Sequence, residues 1–224
     1  VDKKSNFRIF NISQNIYYSK FDIKITIPGK KDKYLRNVKI PLNGLHNIRN
    51  ATAASAVAST VGISKDFIKN GLKSFKGVQR RFSFLFKYRD AIFIDDYAHH
   101  PTEISEVLNG VKNVYKNKKI ICVFQPHRIS RVKNLRKEFS KSFKNADEVI
   151  LCPIYKAGEN LKTKINYDNF AKEIIKNSDV KLILINDQYE LSKYVRQCVY
   201  GQSIVIGMGA GTISNWMKMI PNLI

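Results

Sequence analysis

The sequence has 224 residues, enough for one large or two small domains. Hydrophobic residues make up 44% of it, so a sizeable core is expected and a disordered chain is excluded. Lys and Arg number 39 against 18 Asp and Glu, which gives a formal net charge of +21. That charge attracts polyanions. The lysines are scattered, however, and no helix-turn-helix or basic–aromatic pattern occurs, so no nucleic acid is predicted as a partner.

Cysteine spacing and hydropathy argue against a zinc-binding, a disulfide-rich and a membrane-spanning protein. Cys122, Cys152 and Cys198 show neither a zinc-ligand spacing nor a disulfide framework, which favours a reducing, cytoplasmic compartment. No apolar run approaches 18 residues, so no membrane contact is predicted. The sequence starts at Val1 in a polar stretch without a signal peptide, which suggests part of a longer protein.

The first forty residues read as short antiparallel strands. Alternation of apolar and polar residues in Phe21–Ile27 predicts a sheet with one solvated face. Such a segment buries little by itself, so it is expected to belong to a larger domain. The predicted strands are Phe7–Ile12, Ile16–Tyr18, Phe21–Ile27 and Tyr34–Ile40.

A helix of small apolar residues follows, over Ala51–Val61. It is apolar on nearly every side, which is typical of a buried helix. Asn47 or Asn43 can cap it. Asn47 and Asn50 are three residues apart and share a face, where two amides can read an adenine edge, because each amide is both donor and acceptor. Simple capping explains the pair equally well.

A second helix, Lys65–Ser74, opens at Ser64 and leads into a predicted domain linker, Phe75–Phe82. The adjacent Arg80 and Arg81 in this linker can grip a phosphate, because the guanidinium group is planar and always charged. A solvated arginine pair is the equal alternative.

From the linker onward, strands alternate with helices, which predicts a mostly parallel, Rossmann-like α/β sheet flanked by helices. The predicted elements are a hairpin of Phe82–Tyr88 and Ala91–Ile94, helix Thr102–Tyr115, strand Lys119–Phe124, helix Val132–Asn145, strand Glu148–Cys152, helix Tyr167–Lys176, strand Lys181–Ile185, helix Gln188–Val199, strand Ser203–Ile206 and helix Ile213–Met219.

The most polar of the strand ends is Asp95–Glu103, which directly follows the strand Ala91–Ile94. Two carboxylates, a phenol and two imidazoles lie between a strand and a helix start, where open α/β sheets bind ligands. Thr102 is the predicted N-cap. A polar turn with a cap is the plainer alternative, but the adjacent His99 and His100 favour a site.

Two further strand ends carry candidate binding groups. Arg128 and Arg131 are three residues apart at a helix start, and with His127 they can bind a carboxylate or a phosphate. The run Gly207–Thr212 has the spacing G-x-G-x-G, which is weak evidence for a nicotinamide cofactor and favours a tight turn that lets backbone approach a ligand. No G-x-x-x-x-G-K-[ST] phosphate loop occurs in the sequence.

Six motifs in this order resemble the Mur ligases, from about residue 40 to the end of the sequence. The segment Phe124–Arg128 is what separates the resemblance from the murein-recycling peptide ligases. Thr212 departs from the family pattern, in which an acidic or amide residue is common. The motifs are His46-Asn47-x-x-Asn50-Ala51, Gly77-Val78-x-Arg80-Arg81-Phe82, Asp95–Glu103, Phe124-Gln125-Pro126-His127-Arg128-x-x-Arg131, Tyr155-x-Ala157-Gly158-Glu159 and Gly209-Ala210-Gly211.

The resemblance implies a three-domain enzyme of which this chain is the later part. Residues 1–78 would end the central ATP-binding domain, and residues 79–224 would form the C-terminal domain. An upstream half would carry the UDP-binding domain, the phosphate loop and most ligands of Mg²⁺, so no metal ligand is predicted in this chain.

The implied reaction is ATP-dependent ligation of L-alanine to UDP-N-acetylmuramate through an acyl phosphate, in peptidoglycan and cell-wall synthesis. ATP and Mg²⁺ are the implied cofactors. The alternative is a non-catalytic remnant or binding module of a split ligase gene. The implied residues are His46, Asn47, Asn50, Arg81 and Asp96 for ATP, Tyr97, His99, Arg128 and Arg131 for alanine and the muramyl end, and Arg81, His99 and Arg128 for catalysis.

Overall fold

A computed structural model of the protein describes residues 5–15, 18–29, 31–42, 44–75, 77–159 and 165–224. The chain divides into two compact units, residues 1–78 and 79–224. The predicted short strand at Ile16 and the candidate cap Asn43 lie outside the described residues. The first unit contains β1 (Phe7–Gln14), β2 (Ser19–Ile25), β3 (Lys33–Ile40), α1 (Leu45–Thr60) and α2 (Lys65–Ser74).

The first unit is a three-stranded antiparallel sheet, ordered β1-β2-β3, with the two helices packed on it. Side chains of β2 at positions two apart, Phe21, Ile23 and Ile25, are buried and form its core with residues of the helices such as Ile48 and Ile68. This periodicity of two is what places one face of a sheet against a core.

Helix α1 begins earlier than predicted. It starts at Leu45, not Ala51, and Gly44 is its N-cap without a side-chain capping bond. The prediction that Asn47 caps the helix is therefore wrong, because Asn47 lies inside the first turn. Helix α2 has the predicted bounds, and the Ser64 side chain accepts the Phe67 N–H as its cap.

The second unit is one six-stranded sheet with helices on both faces. Its elements are β4 (Ser83–Tyr88), β5 (Ala91–Asp96), α3 (Pro101–Val114), β6 (Lys119–Phe124), α4 (Ile129–Asn134), α5 (Arg136–Lys141), β7 (Glu148–Leu151), α6 (Tyr167–Ser178), β8 (Lys181–Leu184), α7 (Gln188–Cys198), β9 (Ser203–Met208) and α8 (Ile213–Leu223).

The strand order is β4-β5-β9-β6-β7-β8, and every neighbouring pair is parallel except β4 with β5. Alternate residues of each central strand enter separate cores on the two faces, as Ile120 and Ile121 of β6 do. The predicted mostly parallel α/β sheet flanked by helices is confirmed. Its geometry brings the carboxyl ends of β5, β9, β6 and β7 to one edge.

Two helix predictions in this unit are wrong in detail. The predicted helix Val132–Asn145 is two short helices, α4 and α5, separated by Leu135, whose φ of −116° and ψ of 24° leave the helical region. Thr102 is not the N-cap of α3. His100 caps it instead, and Pro101 is the first helical residue, where its missing N–H costs nothing.

The cysteines are all free thiols. Cys122 and Cys152 are buried, and burial raises the pKa of both thiols, while Cys198 is exposed at the end of α7. Among the described helices, none has the length and apolar content that crossing a bilayer requires.

The amino-terminal edge of the sheet contains a buried carboxylate, Glu148, at the start of β7. Lys119 Nζ lies 2.7 Å from its Oε2, Lys181 Nζ lies 3.6 Å from its Oε1, and the Tyr194 hydroxyl donates to Oε1. Burial alone would raise the pKa of Glu148, but the bonds from Lys119 and Tyr194 outweigh it and lower the pKa. This cluster ties the starts of three strands together with α7.

Replacing Glu148 by Gln is expected to lower the free energy of unfolding by about 1–3 kcal/mol, because charged hydrogen bonds are lost. The folded-state pKa is below the unfolded value, so the stabilisation is complete above about pH 4.3 and is lost as the pH falls through the folded pKa. Urea unfolding followed by fluorescence of Trp216, the one tryptophan, at pH 7 and at lower pH checks both statements.

The matched control is Lys181→Met. Its side chain is 64% exposed, so the loss is expected to stay below about 0.5 kcal/mol. Equal losses for Glu148→Gln and Lys181→Met would contradict the role given to the buried carboxylate.

Candidate functional site

The end of β5 is tied to the start of the second unit through Asp96. Its Oδ2 accepts the Phe82 N–H and its Oδ1 accepts the Ala98 N–H, both at 2.8 Å. The side chain is 3% exposed. The carboxylate therefore holds both Phe82, at the start of the unit, and Ala98, just after β5. The predicted ribose contact at Asp96 would have to use the remaining lone pairs of the carboxylate.

Arg80 makes a second tie to the same strand ends. Its Nε lies 3.5 Å from Oδ2 of the buried Asp95, which also accepts the Ser214 hydroxyl at 2.6 Å. Its guanidinium donates to the Gly209 carbonyl, and its own carbonyl accepts the Tyr97 N–H. Arg80 is thus an internal group, and the prediction that treated it and Arg81 as an equivalent phosphate-gripping pair is wrong for Arg80.

Arg81, the next residue, is exposed. Its guanidinium carbon lies 5.7 Å from the centroid of the Tyr97 ring, and that of Arg80 lies 4.9 Å from the same ring. The backbone ties at Arg80 and Phe82 flank Arg81 on both sides, so its position at the edge of the sheet is fixed by its neighbours.

The loop before α3 is fixed by a capping box. Glu103 Oε2 accepts the N–H groups of His99 and His100, at 3.0 and 3.2 Å. Burial would raise the pKa of Glu103, but these backbone bonds lower it overall. His99 Nδ1 lies 2.9 Å from the Tyr97 carbonyl oxygen, so the backbone sets the orientation of its ring.

Four rings lie in a row along the carboxyl edge of the sheet, and we call them the ring row: Tyr97, His99, His127 and Tyr155. The centroid of the His99 ring lies 5.1 Å from that of Tyr97 and 5.9 Å from that of His127, and both ring pairs are edge to face. His127 and Tyr155 stack at 5.6 Å. The row spans the loops after β5, β6 and β7, so three separate strand ends build one surface.

Arginines flank the ring row. Arg131 Nη1 lies 3.3 Å from His127 Nδ1. Arg128 is exposed, has a φ of 71°, and donates its backbone N–H to the Tyr155 carbonyl at 2.8 Å. Glu159 accepts the N–H and the hydroxyl of Ser130 between the two arginines, and these bonds lower its pKa. The loop after β7 is thereby bound to the start of α4.

The surroundings of His127 lower the pKa of its imidazole. Burial lowers its pKa first, followed by the charge of Arg131 and the neighbouring His99 and Arg128. A neutral imidazole can accept a hydrogen bond or a proton, while the guanidinium groups attract a carboxylate. An amino acid carries both an ammonium and a carboxylate. The guanidinium groups at this edge therefore suit the carboxylate end of such a molecule.

The glycines after β9 allow neighbouring residues of the same unit to pack closely against the backbone. A side chain at Gly211 would meet the Tyr155 ring and the Gln125 amide, and Gly209 has a φ of 148° beside the Gln125 carbonyl. Gln125 Oε1 in turn accepts the Ile213 N–H at 3.0 Å. The tight turn that was predicted therefore serves close internal packing behind the ring row.

The predicted adenine-binding residues lie in the other unit. His46, Asn47 and Asn50 occupy the first two turns of α1, and their roles remain predictions. No group of three or more His, Cys, Asp or Glu that could hold a metal is present in the part of the chain that the structure describes.

Of the predicted residues in the second unit, the structure brings Arg81, Tyr97, His99 and Arg131 together along one surface, with Asp96 beneath it and Arg128 on the adjoining loop. The groups that were left out of the predicted site are chiefly supporting ones: Arg80, Glu103, Tyr155 and Glu159. Glu103 had a signal, because a Glu three residues after a cap position is a capping box.

Replacing Arg80 by Met is expected to lower the free energy of unfolding of the second unit by about 3–5 kcal/mol, because the buried Asp95 loses its counter-charge. Trp216 fluorescence during urea unfolding measures it. Arg81→Met is the control and should cost less than about 0.5 kcal/mol, since Arg81 is exposed. A small loss for Arg80→Met would show that Asp95 does not need the arginine.

His127 is expected to titrate below about pH 6.5, the usual value for histidine. In Arg131→Ala its midpoint should rise, because a neighbouring positive charge is removed, and in Arg131→Lys it should stay low. Proton NMR of the imidazole over pH 4–8 gives the midpoints. An unchanged midpoint in Arg131→Ala would contradict the electrostatic account.

Comparison with known proteins shows the family of the chain. Residues 80–211 match the model of the Mur ligase, glutamate ligase domain. The chain is 61% identical over 223 residues to the UDP-N-acetylmuramate–L-alanine ligase of Pelagibacter ubique, covering 100% of this chain and 48% of that protein. It is 38% identical over 219 residues to the ligase of the same name from Rickettsia bellii, covering 95% and 45%.

Solved structures give the same result. The UDP-N-acetylmuramate–alanine ligase of Thermotoga maritima superposes with a TM-score of 0.76 at 28% identity, over 99% of this chain and 46% of that one. A murein peptide ligase from Psychrobacter arcticus, at 18% identity and a TM-score of 0.73, shares the fold. The chain thus spans about half the length of the relatives it matches, and it belongs to the Mur ligase family.

Proposed function

We propose that this chain is the carboxyl-terminal part of an ATP-dependent ligase that joins L-alanine to UDP-N-acetylmuramate in peptidoglycan synthesis. The observation that carries the proposal is the ring row with its flanking arginines, built from three strand ends in a chain 61% identical to a ligase of that name. A cytoplasmic location belongs to the same proposal, because ATP is supplied there.

The chemistry explains why such groups are needed. A carboxylate is a poor electrophile, so ATP first transfers its terminal phosphoryl group to the muramate carboxylate, giving an acyl phosphate and ADP. The amine of L-alanine attacks the acyl carbon, the C–N bond forms, and phosphate leaves with the C–O bonding electrons. Both steps depend on charge neutralisation and accurate positioning.

Each residue has a place in this scheme. As the resemblance implies, Arg81 meets the phosphates and Asp96 takes the ribose hydroxyls. Asn47 and Asn50 contact adenine, with His46 beside it. Arg128 and Arg131 bind the alanine carboxylate. Tyr97 and His99 line the space between this carboxylate and the muramyl end. The alanine ammonium must lose a proton before its nitrogen can attack.

Mg²⁺ would supply charge neutralisation at the ATP phosphates when bound. As the resemblance implies, most of its ligands would lie in the part of the enzyme that the matched relatives carry beyond this region.

A chimera tests the proposal. The residues of the Pelagibacter ubique relative that lie outside the match are joined to this chain, and phosphate release is measured with ATP, UDP-N-acetylmuramate and L-alanine. Release that requires all three substrates is expected. The 224-residue chain alone is expected to be inactive, because its sequence contains no phosphate loop. Robust ligation by the lone chain would contradict the need for the unmatched residues, and an inactive but folded chimera would favour the non-catalytic alternative.

In that chimera, Arg128→Ala and Arg131→Ala are each expected to raise the KM for L-alanine about 10- to 100-fold, the value of a hydrogen bond between charged groups. Lys133→Ala, an exposed position on the same short helix, is the control. If all three variants behave alike, the carboxylate is bound elsewhere.

A further inference from the structure

The sheet of the first unit has one face against its helices and one outer face that is rich in positive charge. In β2, Phe21, Ile23 and Ile25 point into the core, so the residues between them point outward. Residues directly opposite each other on paired strands share a face, which extends the outer face across β1 and β3. We call this outer surface the basic face, and its cationic members are Arg8, Lys20, Lys24, Arg36 and Lys39.

Two pairs of like charges lie directly opposite each other on the basic face. Arg8 of β1 is the register partner of Lys24 of β2, and Lys20 of β2 is the register partner of Lys39 of β3. Side chains in such positions start about 5 Å apart, and like charges there destabilise a sheet. The repulsion occurs twice on one small surface, which indicates that an anion relieves it when bound.

The carboxylates of the same face do not neutralise it. Asp22 is 7% exposed, and its oxygens accept hydrogen bonds from side chains and backbone of β1 and β3. Asp32 lies 2.6 Å from the Lys24 ammonium. Among the residues that the structure describes, three cations of the basic face have no carboxylate within 4.0 Å, namely Arg8, Lys20 and Lys39.

Aromatic rings lie among these cations and hold two of them flat against the sheet. The guanidinium carbon of Arg36 lies 4.9 Å from the centroid of Phe10 and 5.0 Å from that of Tyr34. The Lys39 ammonium lies 4.0 Å from the centroid of Tyr18. These cations occupy ring faces on which the bases of a single-stranded nucleic acid would stack. A nucleic acid therefore fits the basic face less well than its charge suggests.

An anionic lipid surface fits the same features. Its headgroups lie in a plane, so they can meet cations that are spread over three strands without following a groove. Tyr34, which is 39% exposed, has the amphipathic ring that is enriched where water meets lipid. The sequence predicted no membrane contact because it has no long apolar run, but a peripheral contact does not need one.

We infer that the basic face binds the anionic headgroups of a phospholipid bilayer and holds the protein reversibly at the bilayer surface. A few unpaired cations give transient attraction and not stable anchoring, which takes a second signal. The inference does not depend on the proposed function, because none of the five cations is assigned to a substrate.

Vesicle binding by the full 224-residue chain tests the inference. The chain is sedimented with phosphatidylcholine vesicles that contain either no anionic lipid or about one-third phosphatidylglycerol. Binding is expected only to the anionic vesicles and should weaken as salt is added. Arg8→Gln combined with Lys20→Gln should lower the partition coefficient about 30-fold, since each cation near an anionic surface contributes about a factor of five.

The matched control is Lys65→Gln combined with Lys73→Gln. Both lysines are exposed on α2, which packs on the opposite face of the same sheet, and the control removes the same amount of charge. Its partition coefficient should fall less than about threefold, because charges beyond a Debye length are screened. Equal losses in the two double variants would show that only the net charge of +21 attracts the vesicles and would overturn the inference. Circular dichroism establishes that both variants fold.

A single-stranded DNA oligonucleotide is the competing probe. If the Arg8→Gln, Lys20→Gln variant loses more affinity for the oligonucleotide than for the anionic vesicles, the basic face is a nucleic-acid surface and the lipid inference is wrong. A smaller loss for the oligonucleotide, or no binding to it, supports the inference.

A dye attached to the basic face reports which side of the unit meets the lipid. Ser13 is exposed and is the register partner of Lys20, so Ser13→Cys in a Cys198→Ser background places a thiol on this face. A polarity-sensitive dye there should shift its emission to the blue on anionic vesicles. The same dye on Lys73→Cys, on α2, should not shift. Any other pattern at the two positions would refute the inference.

Discussion

The arrangement of the second unit depends on two adjacent aspartates at the end of β5. Asp96 accepts backbone N–H groups from both sides of the strand, and Asp95 lies under Arg80 and Ser214. Buried carboxylates of this kind are tolerated only when each is hydrogen-bonded or paired with a charge. The pairing fixes where residues 80–82 enter the unit, and with them the exposed Arg81, whose guanidinium lies against the Tyr97 ring.

The ring row is built on that base. Tyr97 follows the aspartates directly, the Glu103 capping box sets the backbone around His99, and Glu159 binds the loop carrying Tyr155 to the start of α4. The backbone that carries Tyr97, His99 and Tyr155 is thus held by hydrogen bonds. A surface that has to receive a small charged molecule benefits from this, because preorganised groups lose little conformational entropy when it binds.

Much of this architecture could be predicted from the sequence, because the information is local. Continuous apolar runs such as Lys119–Phe124 gave a strand with matching bounds, and Ser64 gave the cap of α2. The errors came where tertiary contacts decide. Arg80 and Arg81 are indistinguishable by type and position, and only the buried Asp95 separates them. The cap of α3 moved to His100 because Pro101 can begin a helix, and helical periodicity did not register the break at Leu135.

Some residues of the candidate site could be predicted from the sequence and others could not. Residues that follow strand ends were predictable, since parallel strands bring their carboxyl ends together, and this gave Tyr97, His99, Arg128 and Arg131. The stacking of Tyr155 on His127 was not, because it depends on the register between β6 and β7 and on the missing side chain at Gly211.

The burial of the cysteines determines which thiols can react with oxidants. Cys122 and Cys152 lie within the sheet core with raised pKa values, so the thiolate, which is the form that attacks peroxide or glutathione disulfide, is almost absent there. Cys198 is exposed, but it ends α7 just before β9 begins, at the edge of the sheet opposite the ring row. An adduct on the exposed Cys198 would therefore lie at the edge of the sheet away from the ring row.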